Sequence, residues 1–490
     1  MKKAAIVLVP EIALTTQTKR RFISRFGKIV SVLHSKMTIL ERQTEIRRIM
    51  QGETKIVIGP RSALFVPLNN IGLIVIDEEH DSSYISQTTP RYDTREVARY
   101  LCYMNKACLL LGSATPDVKT MYQAETGSIN LYKLSKRPNG YNMPKIHVVN
   151  MKEERVLGNG KCISLSLLNE IKKNIQKKEQ TFIFLNRRGF ASSVVCRGCG
   201  KILKCANCDV GLTYHKKIDL LLCHYCSYAE KLNNTCPYCG SENLDLTGIG
   251  TELVEKQLHE LLPEVTTIRM DADTTVKRGA HEEILDRFKK ERIDVLIGTQ
   301  MISKGHDIET VTLVGIINAD STYAMNTFSA SEKGFSNLLQ VSGRAGRGSL
   351  SGRVIVQAYD EESTVIDALK TQSYDDFYKT EIEFRKYATY PPFCDIVLFE
   401  LTSMHKEAVQ NDSKHMYDLL GKYNSEEFKV LTPKTPYISK INNKYSMQII
   451  VKTQICDKVL NIIYKNLQEY DKIHNRDVYI SVTKNPLFIG

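Results

Sequence analysis

Short apolar runs ending in polar or glycine-bearing loops recur along the first part of the chain, at 5–9, 55–58, 73–76 and 108–111. Stretches with helical spacing lie between them, as at 41–50 and 94–104. Near-continuous apolar runs of this length suit strands buried on both faces. Their alternation with helices predicts a parallel α/β sheet whose ligands bind at the C-terminal ends of the strands. A second series repeats the pattern at 181–185, 266–269, 294–297 and 312–317, so two α/β units are expected with a cleft between them. A cysteine-rich stretch interrupts the second unit after its first strand and reads as an insertion. Beyond about residue 375 the texture changes. Strands at 394–401, 437–439, 447–451 and 478–482 and helices at 406–422 and 457–470 predict a small α+β domain. The expected divisions are 1–135, 136–374 with the insertion at 194–241, and 375–490.

Length agrees with this partition, since 490 residues at roughly 100–200 per domain make about three domains. With 42% hydrophobic and 25% charged residues, the composition is that of an ordinary soluble globular protein. There is no uninterrupted apolar run of about 18 residues, so no membrane span is expected. The opening Met1-Lys2-Lys3 and the apolar stretch after it superficially resemble a signal peptide. That stretch is short, however, and runs into Pro10-Glu11 without a small-residue cleavage site. A buried strand and a cytoplasmic location are the better expectation. The net charge of +12, from 67 basic and 55 acidic residues, shifts expectation modestly towards a polyanionic partner.

Eight of the 13 cysteines fall between Cys196 and Cys239, in four Cys-x-x-Cys pairs: Cys196/Cys199, Cys205/Cys208, Cys223/Cys226 and Cys236/Cys239. Two residues between thiolates let both sulfurs bind one tetrahedral zinc, and two such knuckles close a four-sulfur site. The expectation is therefore two structural Zn²⁺ per chain with no open coordination position. Pairing in chain order would leave only a tight connection between Cys199 and Cys205. Joining Cys205/Cys208 to Cys223/Cys226 gives a loop near zinc-ribbon length and leaves the outer pairs to share the second ion. The remaining cysteines (Cys102, Cys108, Cys162, Cys394, Cys456) have no ligand spacing and read as small hydrophobes.

Ile74-Val75-Ile76-Asp77-Glu78-Glu79-His80 is an apolar strand ending in three acids and a histidine. In a nucleotide-hydrolysing motor the first acid after such a strand holds Mg²⁺ and the second polarises the attacking water. On its own the run reads equally well as a solvated acidic loop. Gly112-Ser113-Ala114-Thr115 follows the next strand, as a hydroxyl-bearing coupling loop does in helicases. Gln340-Val341-Ser342-Gly343-Arg344-Ala345-Gly346-Arg347 carries two arginines three apart, suited to reach a γ-phosphate. The stretch 298–306 also ends a strand and is rich in backbone and hydroxyl donors.

Together these blocks resemble superfamily 2 helicases. Val9-Pro10-Glu11-Ile12, Arg61-Ser62-Ala63-Leu64-Phe65, Asp81-Ser82-Ser83-Tyr84, Leu185-Asn186-Arg187-Arg188-Gly189-Phe190, Gly248-Ile249-Gly250-Thr251-Glu252 and Tyr390-Pro391-Pro392-Phe393, with the cysteine spacing, narrow the resemblance to the PriA family of bacterial DNA helicases. The resemblance implies two RecA-like lobes, a two-zinc insertion in the second, and an ATP-dependent 3′-to-5′ helicase of replication restart and primosome assembly. It assigns Asp77 to Mg²⁺, Glu78 to the water, and Gln340, Arg344 and Arg347 to the nucleotide. It places Arg61, Ser62, Tyr84, Arg91, Tyr92, Asn186 and Arg187 at single-stranded DNA, with Arg95 also meeting phosphates. For each tyrosine, packing between the lobes is an equally available role. Forked DNA, primosome proteins and single-strand binding protein are the implied partners.

The sequence departs from that family in one respect that matters. It contains no G-x-x-x-x-G-K-[ST]; Gly27-Lys28, Gly160-Lys161 and Gly421-Lys422, for example, each lack the following hydroxyl. Pro60 stands where the family usually has threonine, and there is no tryptophan. The expectation is a motor lacking its first nucleotide-binding segment, with a catalytically inactive, zinc-stabilised DNA- and protein-binding remnant as the rival.

Overall fold

Five segments of the first unit form one parallel sheet, in which 56–59 is buried along its length and the edge strand 108–112 stays partly exposed. β1 (Ala4–Leu8), β2 (Val30–Val32), β3 (Ile56–Gly59), β4 (Ile71–Asp77) and β5 (Cys108–Gly112) pair in the order β2-β3-β1-β4-β5. This is a computed structural model, and it describes residues 3–10, 16–134, 143–186, 194–196, 199, 201–208, 210–215, 220–223, 225–233, 235–242, 244–245, 250–271, 274–275, 279–299, 308–324, 327–346 and 350–487. Ile6, Leu8, Val57, Ile74 and Ile76 fill one core, while Val9, Val30, Ile56 and Ile58 fill a second. The three-residue β2 is too short to register as a run in the sequence. Helix Ile39–Met50 starts at a capping box in which Thr38 and Glu41 satisfy each other's backbone N–H groups.

The second unit is a six-stranded parallel sheet interrupted by the insertion. β6 (Lys145–Asn150) and β7 (Gln180–Leu185) precede the small insertion strands β8 (Val195–Cys196), β9 (Thr213–His215), β10 (Leu220–Leu222), β11 (Ala229–Lys231) and β12 (Leu244–Asp245). β13 (Thr267–Met270), β14 (Val295–Gly298), β15 (Val311–Ile317) and β16 (Arg353–Ala358) then complete the order β13-β14-β7-β15-β16-β6. Alternate residues of β7 enter opposite cores, Phe182 and Phe184 one, Ile183 and Leu185 the other. β6 escapes a search for apolar runs because it closes the sheet at an edge and alternates exposed with covered residues.

The C-terminal region is an antiparallel sheet with two helices, Lys406–Gly421 and Asp457–Tyr470, whose Val409, Met416, Val459 and Ile463 share its core. Its strands are β17 (Asp395–Ser403), β18 (Phe428–Val430), β19 (Lys440–Ile441), β20 (Lys444–Thr453) and β21 (Tyr479–Lys484). The strand expected at 437–439 is corrected to β19. Asn442 and Asn443, at φ of 49° and 60°, make a two-residue hairpin turn that pairs Ile441 with Lys444 and Lys440 with Tyr445. Among the described residues, no helix is long and apolar enough to cross a membrane.

Helix Tyr374–Tyr387 ties the parts together by lying against helices Val118–Glu125 and Ala330–Ser342. Phe377 stacks on Phe335 at 4.5 Å, and the Tyr374 hydroxyl donates to the Pro116 carbonyl at 2.7 Å. Arg385, only 2% exposed, donates to Glu332 at 2.7 Å and to Glu381 at 2.8 Å. Glu332 in turn accepts the Val118 backbone N–H at 2.6 Å, so one carboxylate joins the segment after the first sheet to the helix before the C-terminal region. Arg385→Met should destabilise the chain by about 3–5 kcal/mol, because it leaves buried carboxylates without their cation. Denaturant unfolding measures this, and a loss below about 1 kcal/mol would show that the pair is not what holds the junction.

Candidate nucleotide cleft and metal centres

Parallel strands end their C-termini on one side of a sheet, and there the acidic run meets the hydroxyl loop. Asp77 closes β4, and its Oδ1 accepts the Glu78 backbone N–H at 3.1 Å. Burial raises the Asp77 carboxyl above its ordinary range, with the Glu78 N–H opposing it. Glu78 sits at φ 48°, the left-handed region that a side chain rarely adopts, and the backbone thereby turns sharply out of the strand. His80 Nδ1 lies 2.7 Å from Ser113 Oγ and 3.7 Å from Glu78 Oε2. The acidic loop and the hydroxyl loop after β5 are thus joined by a side-chain hydrogen bond.

From the second lobe, Gln340 Nε2 donates across the cleft to Glu78 Oε1 at 3.3 Å. Arg344 is buried just beyond it. Gly346 holds φ 67° against the Gly352 backbone, where a Cβ would collide. Arg347, Arg187 and 300–306 lie outside the described residues. A cavity of about 180 Å³ opens between the lobes, with His80, Asn186, Lys333, Gln340 and Arg385 in its walls. Asn186 donates to the Ser321 carbonyl at 3.0 Å, and its Oδ1 is buried without a hydrogen-bond partner among the described residues.

Two of the expected DNA contacts need correction. Tyr84 is 1% exposed inside the first core, and its hydroxyl donates to the Asp77 carbonyl at 2.7 Å. A ring so placed cannot stack on a base; it braces the acid instead. Arg95 is locked between Glu79 (3.2 Å), Asp93 (2.8 Å) and Asp117 (2.9 Å), so its guanidinium is already neutralised away from any phosphate. Burial pushes Glu79 up to about 7, whereas Arg95 overcomes burial at Asp117 and holds that carboxyl well below the usual range. The spacing of charges along the chain does not reveal which acids will share one buried cation.

Of the other expected residues, Arg61, Ser62, Arg91 and Tyr92 lie on two neighbouring loops of the first lobe. Arg61 donates to the carbonyls of Ile85 (2.9 Å) and Ser83 (3.2 Å), and Ser62 is exposed beside it. Tyr92 meets Phe65 edge-on at 5.4 Å, with Phe65 57% exposed. Arg91 is exposed and bonds Thr483 of β21. Phe65 is absent from the sequence-derived set, although it ends the same Arg61-Ser62-Ala63-Leu64-Phe65 stretch; its exposure is the missing signal.

The cysteines gather in nested pairs. The sulfurs of Cys196, Cys199, Cys236 and Cys239 lie within 4.8 Å of one another, as do those of Cys205, Cys208, Cys223 and Cys226. Sγ–Sγ separations of 3.6, 3.8 and 3.7 Å match the edge of a tetrahedron with zinc–sulfur bonds of about 2.3 Å. Backbone N–H groups of Asn207 and Tyr238 point at Cys205 and Cys236 sulfurs at 3.4 Å. Cys205, Cys208 and Cys223 are buried, and a cation at the centre of the four sulfurs would offset the cost of holding them there as thiolates. Both tetrads fit Zn²⁺ in closed sites, which suits structure and not catalysis.

Comparison with known proteins follows the same division. Residues 1–124 match a model of the DEAD/DEAH box helicase, 230–349 the helicase conserved C-terminal domain, and 205–231 the PriA DNA helicase Cys-rich region domain. The replication restart protein PriA of Bacillus subtilis is 40% identical over 99% of this chain and 60% of its own length. Those of Treponema pallidum and Rickettsia felis are each 36% identical, over 96% and 99% of this chain and 70% and 72% of their own length. The chain therefore spans about three fifths of the B. subtilis relative and somewhat over two thirds of the other two.

Cys205→Ser should lower bound zinc from two ions per chain to one, loosening the insertion while both parallel sheets persist, because their strands lie outside it. Metal analysis with protease mapping tests this. Two zinc ions retained, or cleavage beginning in the sheets, would contradict modular zinc sites.

Proposed function

Because the chain belongs to the PriA family of replication restart helicases, we propose that it forms the motor of an ATP-dependent 3′-to-5′ DNA helicase that restarts replication and assembles the primosome at stalled forks. The observation that carries this reading is the hydrogen bond from Gln340 to Glu78, which joins the acid expected to activate water to the arginine-bearing motif of the other lobe. Bound ATP and Mg²⁺ would supply the phosphoanhydride and the cation that withdraws charge from it. Asp77 would hold that cation, Glu78 would orient and polarise the water, and Arg344 and Arg347 would approach the γ-phosphate. The phosphate cradle itself is not among the residues of this sequence.

Arg61, Ser62, Arg91 and Tyr92, with Phe65, form the surface proposed for single-stranded DNA, where aromatic rings stack on bases and guanidiniums meet phosphates. Asn186 and Arg187 extend it onto the second lobe. Tyr84 supplies the link between the two sites, because the loop that carries Arg91 and Tyr92 begins at the residue whose hydroxyl holds the Asp77 carbonyl. DNA that shifts the loop would therefore adjust the acid. Domain limits of 1–135, 136–374 with 194–241 inserted, and 375–490, a cytoplasmic setting, and single-strand binding protein and primosome proteins as partners belong to the same proposal.

Two measurements test it. The chain joined to the phosphate-loop segment of a relative should hydrolyse ATP only when single-stranded DNA is present, and Glu78→Gln should remove that turnover by about 100-fold or more. Equal hydrolysis without DNA would sink the coupling. In the chain itself, Tyr92→Ala should weaken single-stranded DNA binding by about 1–3 kcal/mol in fluorescence anisotropy. Unchanged affinity would remove Tyr92 from the DNA surface.

A further inference from the structure

The knuckle Cys205-Ala206-Asn207-Cys208 is gripped by a hairpin from the far end of the chain. The Asn442 backbone N–H donates to Cys208 Sγ at 3.0 Å, and the Asn443 N–H to the Asn207 carbonyl at 2.8 Å. Lys440 Nζ donates to the Ala206 carbonyl at 2.9 Å, and Asn443 Nδ2 to Asn207 Oδ1 at 3.3 Å. Successive knuckle residues are thus each met by the β19–β20 turn. The left-handed conformations of Asn442 and Asn443 aim both backbone donors at the knuckle. Behind the turn, β20 pairs with β17 at nine positions, so the donors stand on a rigid support.

The geometry points to the inner zinc site and the C-terminal hairpin forming one coupled unit: metal on Cys205, Cys208, Cys223 and Cys226 holds the hairpin docked, and the docked hairpin helps to retain the metal. A metal-bound thiolate is a stronger hydrogen-bond acceptor than a thiol, so the Asn442 bond gains strength when the site is filled. Zinc also fixes the knuckle backbone whose carbonyls take Lys440 and Asn443. The two effects are reciprocal, because whatever the hairpin adds to zinc affinity, zinc adds to docking. The coupling is local. The C-terminal region has its own anchor on the second lobe, where Lys333 Nζ donates to the Leu487 carbonyl at 3.0 Å.

Amide hydrogen exchange in residues 440–445, with zinc content measured alongside, tests this in the intact chain. Cys205→Ser should speed exchange there at least about tenfold, while Cys239→Ser, which opens the outer site, should leave it at the wild-type rate. Asn442→Pro, which removes the donor and breaks the turn because proline holds φ near about −65°, undocks the hairpin and should release one of the two zinc ions to a chromophoric chelator about 10–100-fold faster. Asn442→Gly, which keeps both the donor and the turn, should release it at the wild-type rate. Hairpin exchange unchanged in Cys205→Ser or raised equally in both cysteine variants, or wild-type zinc release from Asn442→Pro, would overturn the coupling. Fewer than two zinc ions in the wild-type chain would overturn the metal reading and the coupling with it.

Discussion

A carboxylate or guanidinium buried without its opposite charge costs several kcal/mol, and at the junction of the two lobes this chain buries a row of them. Glu79, Arg95 and Asp117 make one cluster on the first lobe, while Glu332, Arg385 and Glu381 make another on the second lobe and the helix that follows it. The Val118 N–H on Glu332, next in sequence to Asp117, joins them. Burial and the nearby Asp117 keep Glu332 above its ordinary range even beside Arg385, so the arrangement has no slack for a missing partner. The lobes cannot drift apart here without stranding charge, and that constraint sets the cleft.

The chemistry of the cleft follows from where the junction sits. Asp117 and Val118 come directly after the loop whose Ser113 bonds His80, and Glu79 lies between the two candidate catalytic acids and that histidine. Any rotation of the second lobe therefore pulls on the hydroxyl loop from one side and on the acidic run from the other. Glu78 holds its left-handed backbone in the midst of these contacts, with Gln340 reaching it from across the cleft. Strain of this kind persists only where the surroundings over-determine it. The same elements that fix the lobes thus present the acid.

The cysteine-rich insertion obeys a different rule. Among the described residues its buried apolar groups besides cysteine are Val194, Leu203, Leu212 and Leu221, with a few half-covered ones such as Tyr214 and Leu232 around them, a small core for a segment of this length. It draws further support from a hairpin more than 200 residues away in sequence, through backbone donors whose direction depends on two asparagines. A module so small is held by coordination and by what it leans on.

Much was legible in the residues alone. Buried parallel strands announce themselves as apolar runs, and four Cys-x-x-Cys pairs at ribbon spacing dictate two tetrads, because both signals depend on neighbours a few positions apart. The acids after β4 and the nested pairing of cysteines belong to this class. What tertiary structure alone decided is the direction in which a side chain faces. Tyr84 and Tyr92 share one loop, yet one ring fills the first core and the other meets Phe65 near the surface. Arg91 and Arg95 share a charge, yet one is exposed and the other is sealed among three acids. The short turn at Asn442 and Asn443 moved a strand and aimed one backbone donor at a distant sulfur and the next at a carbonyl beside it. Local pattern specifies elements and ligand sets, whereas burial and charge neutralisation depend on residues that the chain brings together only when it folds.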